Sequence, residues 1–342
     1  MKLSLSSMTK TELAETLGLK PFQGRQLFQW LHQKRVFDFD AMTNLSKALR
    51  AQLAETASAS QLELVEMQES KATGTKKALF RLHDGETVES VLIRDRKRTT
   101  ICVSSQLGCA LKCSFCATGL AGFTRNLTPG EIVEQVLYLL QDEADSDRTP
   151  NIVYMGMGEP MRNYDNVMAS IRLLMDKDGV GIGARKIIVS TVGEAKEIER
   201  FTQEDWQVRL SVSLHAANNE LRSTLVPLNR KFPLERLHDV LSGYSAQSGR
   251  QLTFEWTMLK GVNDSVECAR ELVAYAKGLK VSVNLIPWNP VSGLPYHPTH
   301  MADCNRFRDI LEAGGLKVTV RMEKGQDIDA ACGQLSRTHG KA

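Results

Sequence analysis

Four of the chain's seven cysteines fall within 15 residues, at positions 102, 109, 113 and 116. Cys109-Ala-Leu-Lys-Cys113-Ser-Phe-Cys116 spaces three thiols as C-x3-C-x2-C. Three thiolates on one tight loop can hold three irons of a [4Fe–4S] cube and leave the fourth iron open. An open iron can chelate the amino and carboxylate groups of S-adenosylmethionine (SAM). An electron from such a cluster then cleaves the S–C5′ bond and releases a 5′-deoxyadenosyl radical. The competing assignment is structural zinc, which normally takes four protein ligands, often as two pairs. No second Cys or Cys/His pair is in view. An odd cysteine count in a reducing compartment also points to metal ligands or reactive thiols before structural disulfides.

Further polar groups recur after strand-like runs. Ile152-Val-Tyr-Met-Gly-Met-Gly-Glu-Pro160 runs an apolar strand into a glycine-rich turn, and glycines let backbone approach a ligand closely. Ser190, then Ser213-Leu214-His215, then Asn289 in Pro287-Trp-Asn-Pro290 stand at equivalent strand ends. Taken alone, each is as compatible with a strand-end turn as with a ligand. Cys102 and Cys332, as single cysteines, read as small buried hydrophobes, and Glu89 on a strand reads as a surface residue. Cys268 and Cys304 match no motif and read as structural. The run Arg94, Arg96, Lys97 and Arg98 and the pair Arg230 and Lys231 read as solvated basic faces.

The elements that must carry these groups fall into three stretches. Leu13, Leu17, Phe22, Leu27, Trp30 and Leu31 recur at helical spacing, as do Leu45, Leu49 and Leu53, so residues 1–60 are expected to form a small helical accessory domain. Within 61–95, alternating stretches on either side of Asp84-Gly85 predict a β-hairpin extension. From residue 96 to 335, β-branched runs at Thr99–Val103, Ile152–Met155, Lys186–Thr191, Val208–Ser213, Leu252–Thr257, Val281–Ile286 and Lys317–Arg321 alternate with helical patterns. Those patterns cover Thr128–Leu140 and residues 164–176, 194–203, 234–247, 265–279 and 303–314. Alternation of this kind predicts an α/β fold of parallel βα units, a partial (β/α)6 TIM-like barrel with its chemistry at the C-terminal strand ends. Residues 336–342 are left as a tail.

Composition sets the outer bounds. At 42% apolar and 24% charged, the 342 residues are ordinary for a globular protein. A net charge of +3 permits nucleic-acid binding without demanding it. No stretch approaches the roughly 18 consecutive apolar residues of a membrane span. The N-terminus has no apolar core of signal-peptide length. No membrane association and cytoplasmic residence are the expectation.

The C-x3-C-x2-C loop resembles the signature of the radical SAM superfamily, and Gly158-Glu159 resembles that superfamily's element for the SAM amino group. The resemblance covers roughly residues 98–330 and implies a partial (β/α)6 barrel with a [4Fe–4S] cluster on Cys109, Cys113 and Cys116. It further implies SAM held by Gly158, Glu159, Ser190, Ser213, Leu214, His215 and Asn289. Cys102-Val-Ser-Ser-Gln-Leu-Gly-Cys109, Asn284-Leu-Ile-Pro-Trp-Asn-Pro290, Asp327-Ile-Asp-Ala-Ala-Cys-Gly-Gln-Leu335 and Leu19-Lys-Pro-Phe-Gln-Gly-Arg-Gln26 narrow this over essentially the full chain. Together they are similar to the RlmN/Cfr family of RNA methyltransferases. That resemblance implies methylation of C2 of adenosine 2503 in 23S rRNA and of adenosine 37 in tRNAs, with two SAM consumed per methyl. It assigns Cys332 as the S-methylcysteine intermediate, Cys102 as the resolving thiol in a transient disulfide, and Glu89 as proton acceptor. The alternative within the family is methylation at C8 of the same rRNA adenosine. An electron donor such as flavodoxin or ferredoxin and a monomeric state complete the expectations.

Overall fold

A computed structural model describes all residues except 1, 96–97, 142–148, 322–323 and 336–342. Arg96 and Lys97 of the basic run, and the expected tail, lie outside the described residues.

The chain opens on Leu3–Ser4 (β1), followed by helices Lys10–Thr16 (α1), Pro21–Phe28 (α2) and Lys47–Thr56 (α3). Ala57–Ser58 (β2) then pairs in parallel with β1. Thr9 and Glu12 start α1 as a reciprocal capping box, and Pro21 occupies the first turn of α2, where its missing N–H costs nothing. Leu13, Leu27, Leu31, Leu49 and Leu53 turn inward as their spacing predicts, but Phe22 does not: it stands 57% exposed at the start of α2. Lys10 ties this region to the rest by bridging Asp176 and Asp178 at 3.1 and 2.5 Å.

Three antiparallel strands follow: Leu62–Glu69 (β3), Lys76–Leu82 (β4) and Thr87–Asp95 (β5), with β5 pairing onto Arg98–Cys102 (β6). The predicted hairpin is β4–β5. Strand β3 escaped prediction because Leu-Glu-Leu-Val-Glu-Met-Gln-Glu is an edge strand with most of its side chains in water. Its charges are what an exposed edge needs to resist pairing with other chains. Next come Gln106–Gly108 (β7), the cysteine loop, the single turn Ala117–Leu120 (α4) and Phe123–Asn126 (β8); β7 and β8 pair as a separate small ribbon.

The remaining elements alternate. Pro129–Gln141 (α5), Asn151–Tyr154 (β9), Tyr164–Met175 (α6), Ile187–Thr191 (β10), Ala195–Thr202 (α7) and Arg209–Ser213 (β11) come first. Asn219–Leu225 (α8), Leu234–Ser248 (α9), Leu252–Met258 (β12), Val266–Tyr275 (α10), Val281–Pro287 (β13), Met301–Ala313 (α11) and Lys317–Val320 (β14) complete the fold. The ten-stranded sheet runs β3-β4-β5-β6-β9-β10-β11-β12-β13-β14, with every pairing from β6 to β14 parallel. It is the partial barrel of parallel βα units that the alternation predicted: crossovers joining parallel strands, left open because β14 and β3 are both edges.

Burial explains why the strand runs are nearly unbroken in apolar residues. Ile101, Ile152, Val189, Leu210, Val212, Phe254, Trp256, Val283 and Leu285 are essentially buried, as a parallel sheet covered on both faces requires. Helix α5 is capped by Thr128, whose hydroxyl accepts from the Glu131 amide while the Glu131 carboxylate accepts from the Thr128 amide at 2.8 Å. No helix among the described residues is long and apolar enough to cross a membrane. The C-terminal strand ends, where a barrel of this type assembles its chemistry, face the cysteine loop.

Candidate active site

A cleft lies over the strand ends and gathers Cys109, Cys113, Cys116, Gly158, Glu159, Ser190, Ser213, His215 and Cys332 around one space. The loop carrying the three thiols is pinned from several sides. Ser114 N donates to Leu225 O at 3.0 Å, Trp288 Nε1 to Phe115 O at 3.0 Å, and Ala117 N to Gly333 O at 2.8 Å. Lys112, inside the loop, takes a left-handed conformation with φ of 55°, which lets the backbone turn sharply between Cys109 and Cys113.

The three thiols fit an iron–sulfur cube. They sit close enough that the charges of Cys109, Cys113 and Cys116 act on one another, and burial pushes Cys109 up to about 12 and Cys113 well above its usual value. Without metal Cys109 and Cys113 stay protonated, so loading must displace their protons. Among the described residues no three His, Cys, Asp or Glu side chains gather as a set that would hold a single ion.

The glycine turn after β9 is shaped for close approach. Gly158 has φ of +99°, and a Cβ placed there would meet Gln106 Cβ at 2.5 Å. A Cβ at Gly156 would fall 2.6 Å from Ser104 Oγ. Gln106 in turn fixes Glu159, its Oε1 accepting from the Glu159 amide at 2.8 Å. The Glu159 carboxylate accepts from the amides of Val192 at 3.0 Å and Met161 at 3.1 Å, and burial lifts its pKa to about 7. His215 is held with φ of 61°; its Nδ1 accepts from the Thr257 amide at 3.0 Å. Burial first, then the nearby Arg222 charge, lower its pKa to about 3. The ring is therefore neutral, with its proton on Nε2.

Not every residue expected at the site lines the cleft. Leu214 is buried beneath it and uses its backbone, donating N–H to Glu255 O and accepting from Arg222 Nε. Asn289 holds the Cys332 segment instead: its Nδ2 donates to Cys332 O at 3.1 Å, and its Oδ1 accepts from Gln326 at 3.2 Å. Cys332 is exposed. Cys102 is buried behind it at the end of β6, within reach of the Cys332 charge, and burial pushes its thiol far up. Glu89 is not a surface residue. It is 1% exposed and ion-pairs with buried Lys77 at 3.1 Å. Val91 stands opposite Cys102 across β5–β6, so Glu89, two residues along, projects from the same face.

Sequence reading missed Glu255, Thr257 and Arg321, which also line the cleft. Glu255 Oε1 accepts from Ser211 at 2.9 Å and Asn284 at 3.0 Å, with Arg321 at 3.8 Å. Its signal was available: a carboxylate in the middle of the apolar run Phe254-Glu255-Trp256 must answer to something inside.

Two family models match the chain. "Ribosomal RNA large subunit methyltransferase N-terminal domain" covers residues 2–59 and "Radical SAM superfamily" covers residues 103–273. Among curated relatives, "Dual-specificity RNA methyltransferase RlmN" of Halorhodospira halophila is 49% identical over 322 residues, 94% of this chain and 89% of that protein. The chain belongs to the RlmN family of radical SAM proteins. Other RlmN relatives match as widely. "Probable dual-specificity RNA methyltransferase RlmN" of Caldanaerobacter subterraneus subsp. tengcongensis is 43% identical over 341 residues, 99% of each chain. A crystal structure of a radical SAM methyltransferase from Sphaerobacter thermophilus superposes with a TM-score of 0.95 at 46% identity, covering 98% of this chain and 99% of that one.

Proposed function

We propose that this RlmN-family chain is a radical SAM RNA methyltransferase. It transfers a methyl group to C2 of adenosine 2503 in 23S rRNA and of adenosine 37 in tRNA through S-methyl-Cys332. One observation carries this reading: an exposed Cys332 on the wall of a cleft shared with the three-thiol loop, and a second thiol, Cys102, behind it within charge reach. Generating a radical needs only the three-thiol loop. Two more thiols beside it call for chemistry on sulfur.

That chemistry answers a difficulty in the substrate. The methyl of SAM is an electrophile, and C2 of adenine is electron-poor with no lone pair, so direct displacement fails. Cys109, Cys113 and Cys116 would hold the cluster, with SAM received by Gly158, Glu159, Ser190, Ser213 and His215. When bound, the cluster supplies the electron that cleaves SAM to a 5′-deoxyadenosyl radical. Cys332 first takes a methyl from one SAM by ordinary displacement at sulfur. Loss of a hydrogen atom from that S-methyl group, during consumption of a second SAM, leaves a carbon radical on Cys332 that adds to C2. Glu89 accepts the ring proton and one electron passes back to the oxidised electron donor, which leaves a closed-shell thioether between C2 and Cys332. Cys102 then attacks the Cys332 sulfur as a thiolate, the released carbon takes up a proton to become the methyl group, and a Cys102–Cys332 disulfide remains. A flavodoxin or ferredoxin is the proposed electron donor. Leu214 and Asn289 serve by holding backbone, the latter by fixing the Cys332 segment.

Residues 1–60 are proposed as an RNA-binding accessory domain, supported by the N-terminal family match and by Phe22, exposed between Lys20 and Arg25. Residues 61–95 extend the 96–335 core by three strands. A base stacked in RNA must be extruded to reach the cleft.

The test is the product. Unmethylated 23S rRNA treated with reconstituted enzyme, SAM and reductant, then digested to nucleosides, should yield 2-methyladenosine by mass spectrometry. Cys332→Ala should yield none while keeping its cluster. Recovery of 8-methyladenosine would overturn the C2 assignment.

A further inference from the structure

Helix α8 contains a buried cation with no buried anion to answer it. Arg222 is 1% exposed, and all of its hydrogen bonds go to neutral acceptors. Nε donates to Leu214 O at 3.1 Å, Nη1 to Asn229 Oδ1 at 2.8 Å and Nη2 to Val192 O at 2.5 Å. No carboxylate stands within ion-pair distance of it among the described residues. Burial pushes its pKa down to about 10, which still leaves it charged at neutral pH. A buried charge held only by dipoles is costly, and proteins normally pair it.

The missing partner is marked by where Arg222 sits. Its charge acts on Cys113 and on His215, both of which line the cleft. The end of the same helix is bonded to the cysteine loop, through Leu225 O and the Ser114 amide next to Cys113. A cube held by three thiolates carries one net negative charge when oxidised and two when reduced. Its potential responds to nearby charge.

We infer that Arg222 is the buried counter-charge of the iron–sulfur cluster, held beside Cys113 by Asn229 and two carbonyls so that it favours the reduced state. Arg222 is a tuning residue: it is buried behind the cleft and is not among its lining residues. The inference rests on the reading that Cys109, Cys113 and Cys116 hold the cluster.

The sign follows from charge. Removing a positive charge beside the cluster disfavours the more negative, reduced form, so the midpoint potential falls. Two variants reach this by different routes. Arg222→Gln deletes the charge. Asn229→Asp keeps the guanidinium and pairs it with a carboxylate at the position of Oδ1, at the cost of the Nδ2 hydrogen bonds to Asn219 and Ser223, so the two variants disturb the fold in different ways.

The experiment is an EPR-monitored redox titration of the reconstituted full chain without SAM or RNA. Both variants should show at least a tenfold loss in the reduction equilibrium, a downward shift of about 59 mV for one electron. Arg222→Lys, which keeps the charge, should stay closer to wild type than either. A folded, cluster-bearing Arg222→Gln or Asn229→Asp protein with the wild-type midpoint overturns the inference and leaves Arg222 as scaffolding only. A wild-type protein that takes up no iron–sulfur cluster overturns the cluster assignment itself, a distinguishable failure.

Discussion

Single residues at this site are tuned by burial more than by partners, and Glu159 shows it most clearly. Desolvation lifts its carboxyl toward neutrality, while the amides of Val192 and Met161 and the Thr191 hydroxyl pull the other way. Burial wins, and the group ends at about 7. If Glu159 receives the SAM ammonium, it must do so ionised, so protons compete with SAM below that value. Calorimetry on the reconstituted protein should show SAM affinity weakening about tenfold per pH unit as pH falls below 7. Glu159→Gln should bind more weakly and lose that slope; an affinity of wild type that stays flat from about pH 5.5 to 8 contradicts the role. At this scale the sequence was readable where chemistry is rare. Cys109, Cys113 and Cys116 stand out because three thiols seldom fall in eight residues by accident. Glu89 was harder, because nothing in Val88-Glu89-Ser90 tells a buried, Lys77-paired carboxylate from an exposed one. Arg222 was invisible, since an arginine on a short helix normally points to water.

The elements locate these residues, and one glutamate joins several of them. Glu134, on α5, accepts from Ser6, from Ser60 at 2.7 Å, and from the amides of Gln61 at 2.8 Å and Leu62 at 3.0 Å. It thereby fastens the N-terminal segment and the start of β3 to the first crossover helix. Burial raises its pKa from the usual 4.5 to about 7. A group raised in the folded state contributes its stability fully below its unfolded value and loses it as pH rises through the folded one. Urea midpoints should therefore fall between about pH 4.5 and 7 in wild type. Glu134→Gln, neutral throughout and able to donate to Ser6 Oγ, should flatten that part of the curve; parallel curves for the two proteins contradict it. The βα rhythm that carries these contacts was legible because β-branched runs and 3.6-residue periods are local signals. Asn219–Leu225 was not, because seven residues ending before Pro227 carry too little periodicity to register.

The whole molecule brings together cysteines from opposite ends of the core sequence, and no local pattern foretells that. Cys102 ends β6, inside the sheet, and Cys332 follows β14, the edge strand at the far end of the parallel run that β6 begins. Only the curvature of the open barrel returns the last segment to the first parallel strand. Ala117 N to Gly333 O, Thr118 Oγ1 to Leu335 O and Asn289 Nδ2 to Cys332 O then stitch the segment over the cleft. Resemblance to a family supplied the pairing in advance; spacing alone left both as lone buried thiols. The central claim is that these two thiols work in sequence, one carrying the methyl and one releasing the RNA. Cys102→Ala tests it most directly, since the link to RNA can form but cannot be resolved. Incubated with SAM, reductant and RNA and run on a denaturing gel, that variant should accumulate a covalent protein–RNA adduct that disappears when Cys332 is also replaced. Recovery of free RNA alone, with the cluster intact, would contradict the account.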